Sequence, residues 1–224
     1  LLSDREVGEI GADVCEALDH AHSRGVVHRD LKPANLISPH RDGGAKLMDF
    51  GVARLTDGED LTNTGDVLGT LSYMAPEQAE GEQVGPPGDV YSLALTLYEA
   101  WTGENPRRKP TPGATLRALD HDLPPLAERR PDLPVPLTDL LDACLDREPG
   151  FRPDIETLGV QLEDSLDLLD DTVRGEEPKR ASAFDFADTE FDLPRIAAAA
   201  AVGGLVATGM IVSGEADFGS ASLI

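Results

Sequence analysis

The chain has 224 residues, enough to bury a core of its own, and 40% apolar with 27% charged residues is the composition of a globular protein, which excludes bulk disorder. Against 19 Lys and Arg stand 42 Asp and Glu, a formal net charge of -23, which argues against non-specific nucleic-acid binding because little is present to replace the counterions condensed on a phosphate backbone. So acidic a surface reads as a solubility device. Two cysteines, Cys15 and Cys144, stand far apart, each on the apolar stripe of a predicted helix. They make no disulfide framework and have no metal-ligand spacing, so buried thiols in a reducing compartment are expected.

Ser3 and Glu6 have the capping-box spacing, and Val7, Ile10, Val14, Leu18 and Ala21 then recur at steps of three and four until Gly25. That pattern predicts a helix marked at both ends. The chain opens at Leu1 without Met, basic n-region or apolar h-region, so no signal peptide is expected and a start in mid-sequence is. Val26 and Val27 lead extended into His28-Arg29-Asp30-Leu31-Lys32-Pro33-Ala34-Asn35, where Pro33 forbids a regular ladder. Leu36-Ile37 and Lys46-Leu47-Met48 are predicted strands, separated by Pro39 and Asp42-Gly43-Gly44, and should form a small hairpin-like pair. Val52 to Thr70 has no period and reads as a long loop.

The stretch Leu71 to Gly81 carries Met74-Ala75-Pro76-Glu77, and Asp89 to Trp101 is a helix apolar nearly all round, closed by Gly103. Such a helix belongs at the centre of a helical domain, with Asp89 as its N-cap in the simplest reading. Two more helices are predicted, about Leu137 to Asp146 and Asp154 to about Leu169. The Pro-rich segment between Asn105 and Pro136 has room for at most one short helix, around Thr115 to His121. Beyond it come a charged linker over 171–195, an uncharged apolar run over 196–212 and a short tail over 213–224. The expected fold class is mainly α with a short β-hairpin.

His28-Arg29-Asp30-Leu31-x-x-x-Asn35, then Asp49-Phe50-Gly51, then Ala75-Pro76-Glu77, in this order and spacing, resembles the signature set of protein kinases. The resemblance covers Leu1 to about Leu169, a domain of residues 1–170, and matches the C-terminal lobe only. It implies that Asp30 accepts or orients the proton of a substrate hydroxyl and that Lys32 meets the transferred phosphoryl group. It also implies that Asn35 and Asp49 hold Mg2+ beside ATP with hard oxygen ligands. Phe50 would pack inward and couple the metal ligand's position to the core, and His28 and Gly51 would be structural residues of the same motifs.

Lys32 two residues after Asp30, with Thr70 of Gly69-Thr70, resembles the Ser/Thr-specific version, and Leu61-Thr62-Asn63-Thr64-Gly65 resembles the two-threonine activation segment of bacterial eukaryotic-like Ser/Thr kinases. Proteins are then the substrates, and phosphorylation of Thr62 and Thr64 would order that segment through Arg29. Glu77 and Arg152 match the family's buried ion pair. Asp89 would accept N–H bonds from the catalytic loop.

The chain also departs from the family. No Gly-x-Gly-x-x-Gly loop and no Val-Ala-x-Lys strand occur, so the chain alone is expected to bind ATP poorly and to turn over little, as a fragment of a longer reading frame. The rivals are a non-catalytic pseudokinase-like binding module and a small-molecule phosphotransferase. Retention of Asp30, Lys32, Asn35 and Asp49 together weighs against the first, and Gly69-Thr70 with Met74-Ala75-Pro76-Glu77 against the second.

The 17-residue run at 196–212, flanked by Arg195 with Lys179 and Arg180 further back, is expected to be a transmembrane helix that leaves the kinase lobe in the cytoplasm at the cell membrane. Ala199, Gly203 and Ala207 at four-residue spacing would let two such helices pack closely, as in a homodimer.

Overall fold

The Ser3 hydroxyl accepts the Glu6 N–H at 3.1 Å while the Glu6 carboxylate accepts the Ser3 N–H at 2.7 Å, and this reciprocal cap opens helix α1, Asp4–His22. The chain leaves it through Gly25 at φ 74, a left-handed position that glycine takes without a Cβ clash. This geometry comes from a computed structural model, which describes residues 2–37, 44–50 and 69–172. The chain divides into two units, Leu1–Pro178 and Lys179–Ile224, and the described residues belong to the first. Gly51, Thr62 and Thr64 lie outside the described residues, as do 52–68 of the expected loop and the expected membrane segment 196–212. Among the described residues no helix is long and apolar enough to cross a membrane.

After a 3-10 turn at Pro33–Asn35 come two short strands, β1 Leu36–Ile37 and β2 Lys46–Leu47, paired antiparallel with Leu36 opposite Leu47. Met48 lies past the ladder, yet its N–H still reaches the Asn35 carbonyl at 2.9 Å. Asp13 on α1 accepts the Ala45 N–H at 2.7 Å, which seats the pair on that helix.

Next come α2, Pro76–Ala79, and the central helix α3, Pro86–Thr102, closed by Gly103 at φ 74. The central helix starts three residues before its expected start, because Pro86 and Pro87 occupy the first turn, where a missing N–H costs nothing. Gly85 therefore stands at the N-cap, and Asp89 is no cap; it projects from inside the helix. The helix is buried from Gly88 to Tyr98 and again at Trp101, as its uninterrupted apolar pattern requires.

The Pro-rich segment holds two short helices where one was expected: α4, Pro112–Ala118, capped by Thr111, and α5, Leu126–Arg129. The second forms because Leu126 is fully buried and its N–H is taken by the Asp142 carboxylate at 3.0 Å. Helix α6, Val135–Cys144, and helix α7, Ile155–Ser165, complete the lobe, and the tail of the last expected helix tightens into a 3-10 turn at Leu166–Leu168. The Asp154 side chain caps α7, and the Thr157 bonds hold its carboxyl below the usual carboxylate range.

Helices α1, α6 and α7 all pack on α3, and α1 lies along α7. At Gly11 a Cβ would stand 3.1 Å from methyl carbons of both Leu97 on α3 and Leu162 on α7, so three helices meet where a side chain is missing.

Three arginines are buried in this packing. Arg107 donates to the Tyr91 hydroxyl at 3.0 Å and to the carbonyls of Ala118 and His121. Arg130 joins the Trp101 carbonyl to Asp4 and Asp132. Arg152 makes two bonds to Glu77 at 2.8 and 2.9 Å, reaches the carbonyls of Pro87, Asp146 and Arg147, and lies over the Tyr91 ring.

Its side chain is 0% exposed and that of Glu77 is 5%, so removal of one partner strands the other's charge in the interior. Arg152→Ala should lower the unfolding free energy by about 3 to 5 kcal/mol, read as a shift in the urea midpoint; an unshifted midpoint would refute the role of the pair.

Candidate active site

The loop after α1 hangs from one carboxylate. Asp89, 1% exposed, accepts the backbone N–H of His28 and of Arg29, each at 2.8 Å, and a third bond at 2.8 Å from His22 Nε2 at the end of α1. Arg29 is thereby held at φ 65, a conformation a non-glycine residue rarely adopts. Its carbonyl is fixed from the other side by the Gln78 amide at 2.9 Å.

His28 is fully buried and serves as a spacer between two loops. Its Nδ1 accepts the Asp30 N–H at 3.3 Å, so the ring proton is assigned to Nε2, which donates to the Met48 carbonyl at 2.9 Å. Its ring also meets Phe50 with centroids 4.8 Å apart. The segment that carries Asp49 is thus registered against the segment that carries Asp30. Asp49 itself sits at φ 52 and its side chain is exposed.

Asp30, Lys32, Asn35 and Thr70 come together. Lys32 Nζ donates to both Asp30 carboxylate oxygens, at 3.1 and 2.9 Å, and to the Thr70 hydroxyl at 2.9 Å. Asn35 is buried and its amide nitrogen donates to the Asp30 carbonyl at 2.6 Å, with a longer contact of 3.3 Å to the Asp30 carboxylate. Asp30 and Lys32 both remain partly open to solvent, so a substrate atom can reach a carboxylate whose position is already set. With Asn35 Nδ2 committed to Asp30, its Oδ1 is the atom left to meet a cation, and Asp49 adds a carboxylate. Two hard oxygen donors fit Mg2+, which keeps most of its shell as water and phosphate oxygen. Among the described residues no cluster of three or more His, Cys, Asp or Glu could hold a metal by itself.

A shallow cleft beside Asp30 is lined by Arg29, Thr70, Tyr73, Met74 and Gln78. Below it lies a network that sequence reasoning missed. The Tyr73 hydroxyl donates to Glu99 and accepts from Arg108 at 2.9 Å, while Arg108 pairs with Glu99 at 3.2 Å and Asn105 adds a bond to Glu99 at 3.3 Å. Burial, and then the Glu99 charge, push the Tyr73 phenol above its ordinary range, so it stays a donor. Tyr73 follows Thr70 by three residues and Glu99 lies ten residues after Asp89, but neither spacing announces a contact. Two other participants were missed, Gln78 and His22, and for His22 the helix-end position was the only signal.

Residues 1–161 match the sequence profile of the protein kinase domain. The serine/threonine-protein kinase PknB of Mycolicibacterium smegmatis is 40% identical over 154 residues, which cover 67% of this chain and 24% of that protein. PknA of Mycobacterium tuberculosis is 43% identical over 152 residues, covering 67% of this chain and 34% of that protein. PkaA of Streptomyces coelicolor is 40% identical over 153 residues, with 67% and 28% covered. The chain spans from 20% to 34% of the length of the curated relatives it matches.

Proposed function

We propose that this chain, which belongs to the protein kinase domain family, supplies the floor of a site that transfers the terminal phosphoryl group of ATP to serine or threonine hydroxyls of protein substrates. The observation that carries this reading is the Lys32 ammonium, which joins the Asp30 carboxylate to the Thr70 hydroxyl within 3.1 Å.

A substrate hydroxyl that arrives over Asp30 meets an acceptor for its proton. The proton moves to the carboxylate as the substrate oxygen bonds to phosphorus and the bond to the ADP oxygen breaks. Lys32, on the same carboxylate, stands where negative charge spreads over the phosphoryl oxygens. Thr70 holds that ammonium in place, and Asn35 restrains the Asp30 main chain, so little reorganises during reaction. Asn35 and Asp49 would hold Mg2+, which neutralises phosphate charge when bound. The coincidence of an aspartate, a lysine and a threonine on one set of bonds supports serine and threonine as acceptors.

Two finer readings accompany this one. Arg29 presents an exposed guanidinium next to the catalytic aspartate, which supports recognition of phosphate on Thr62 or Thr64 and an activity switched by that phosphate. The uncharged run 196–212 with Arg195 at its flank supports a membrane anchor with this lobe on the cytoplasmic side, and the small residues Ala199, Gly203 and Ala207 support pairing of two anchors.

Asp30→Asn, in a protein carrying this chain beneath a glycine-rich nucleotide-binding lobe, should lower kcat by about 10²- to 10⁴-fold. Phosphate transfer to a protein substrate is the readout, and undiminished kcat would remove Asp30 from the chemistry. Phosphopeptide mapping of the same protein should find Thr62 or Thr64 modified; full activity of the Thr62→Ala/Thr64→Ala protein, with modification only elsewhere, would reject the switch. A fusion carrying residues 171–224 should sediment with membranes and resist alkaline extraction, whereas recovery wholly in the soluble fraction would reject the anchor.

A further inference from the structure

Three of the chain's 19 basic residues stand in a row, Arg107-Arg108-Lys109, in a sequence otherwise dominated by acid. The structure separates their roles. Arg107 is 2% exposed and its guanidinium is engaged with the Tyr91 hydroxyl and two carbonyls. Arg108 is different: its side chain is 40% exposed.

One nitrogen of Arg108, Nη2, makes the contacts to Tyr73 and Glu99. Nε and Nη1 carry three further N–H donors, and among the described residues no bond engages them. Glu99 is the opposite case. Its carboxylate takes bonds from Tyr73 and Asn105 as well as the ion pair, and it is 19% exposed. The partly buried anion is thus satisfied from within, and the donors still free belong to the cation.

Position gives these donors a use. Tyr73 lines the cleft that Asp30 and Thr70 also line, and the Arg108 guanidinium lies over the Tyr73 ring with its carbon 5.9 Å from the centroid. A peptide that places a hydroxyl on Asp30 must run its neighbouring residues along that cleft. Glu99 and Tyr73 hold the guanidinium by one nitrogen, so binding an anion at the other two orders few additional bonds.

We infer that Arg108 is a specificity-determining residue, which binds an acidic side chain of the substrate peptide close to the acceptor serine or threonine. The inference rests on the kinase reading above for the identity of the ligand as a peptide substrate. It departs from what net charge suggests: a surface at -23 attracts basic peptides at long range, and Arg108 reverses that preference at one position.

The test is binding to the full 224-residue chain, which needs no phosphoryl transfer. The probes are fluorescein-labelled peptides with one serine in an alanine and glycine context, in which a single aspartate or lysine is moved from three residues before the serine to three after it. At one register the aspartate peptide should bind at least about tenfold more tightly than its lysine counterpart, a difference of about 1.4 kcal/mol. It should also shift the Arg108 Nε–Hε resonance. Arg108→Gln should abolish the preference, Arg108→Glu should turn it toward lysine, and Arg108→Lys should restore part of it. Gain of lysine-peptide binding by Arg108→Glu at the same time shows that the variant is folded.

Equal affinities at every register, or an aspartate preference that survives Arg108→Glu, would overturn the inference. A parallel phosphoryl-transfer assay on the aspartate peptide separates the two readings. A preference that follows residue 108 without any transfer would uphold the contact and count against the enzyme, and transfer with no dependence on residue 108 would do the reverse.

Discussion

The carboxylate of Asp89 is the constraint on which the site depends. Its three hydrogen bonds of 2.8 Å bring the end of the first helix, the start of the loop that carries Asp30 and the first turns of the central helix to one buried point. A left-handed arginine costs on the order of 1 to 3 kcal/mol, and bonds to a charged acceptor contribute roughly 1.5 to 3 kcal/mol each, so the strain at Arg29 persists. Both its N–H and its carbonyl are tied, the second by Gln78. The result is that Asp30, the next residue, emerges in a fixed direction. A second non-glycine residue at positive φ, Asp49, lies across from it, and His28 spans the gap by bonding to both segments.

Legibility in the sequence followed how local each cause was. The first helix could be read whole, because its cap spans only the four residues from Ser3 to Glu6 and its apolar stripe is regular. The central helix was legible as a buried element but not at its start. Apolar periodicity cannot see two prolines as a first turn, so of the two roles read for Asp89 the cap is absent, while the expected N–H bonds from the loop after the first helix are made. Helix α5 was invisible because its four residues have no period, and it exists only through the burial of Leu126 and the bond to Asp142. Within the site, Asp30, Lys32, Asn35 and Thr70 were named from motif and spacing, and the structure brings them into one set of bonds. The Tyr73, Glu99 and Arg108 network is built from residues up to 35 positions apart, which no pattern in one sequence connects.

The arginines show how an acidic chain uses scarce cations. Arg107, Arg130 and Arg152 are inside the lobe, where each bonds to at least one main-chain carbonyl and two of them meet carboxylates. The planar fork suits this work, since it satisfies several oxygens at helix ends and loops with one rigid group. Arg152 joins Glu77, the residue after Ala75-Pro76, to the Pro87 carbonyl in the first turn of the central helix and to the Asp146 and Arg147 carbonyls that follow α6, so the stretch leading out of the cleft is fastened to the same core as Asp89. With these cations internal, the outer face of the lobe is poorer in positive charge than composition alone implies.

The two cysteines give the lobe a property of another kind. Burial pushes the Cys144 thiol up to about 12, and burial, with Cys144 and Glu163 adding to it, carries Cys15 higher still. At neutral pH the thiol form of Cys144 is then strongly favoured, which makes it a poor nucleophile while the helices stay packed. One thiol lies midway along α1 and the other at the last turn of α6. Both belong to one buried cluster, near enough for Cys144 to act on Cys15, and Cys15 also packs against Gly159 of α7. Their reaction with a thiol reagent therefore records when the helices around that shared cluster part.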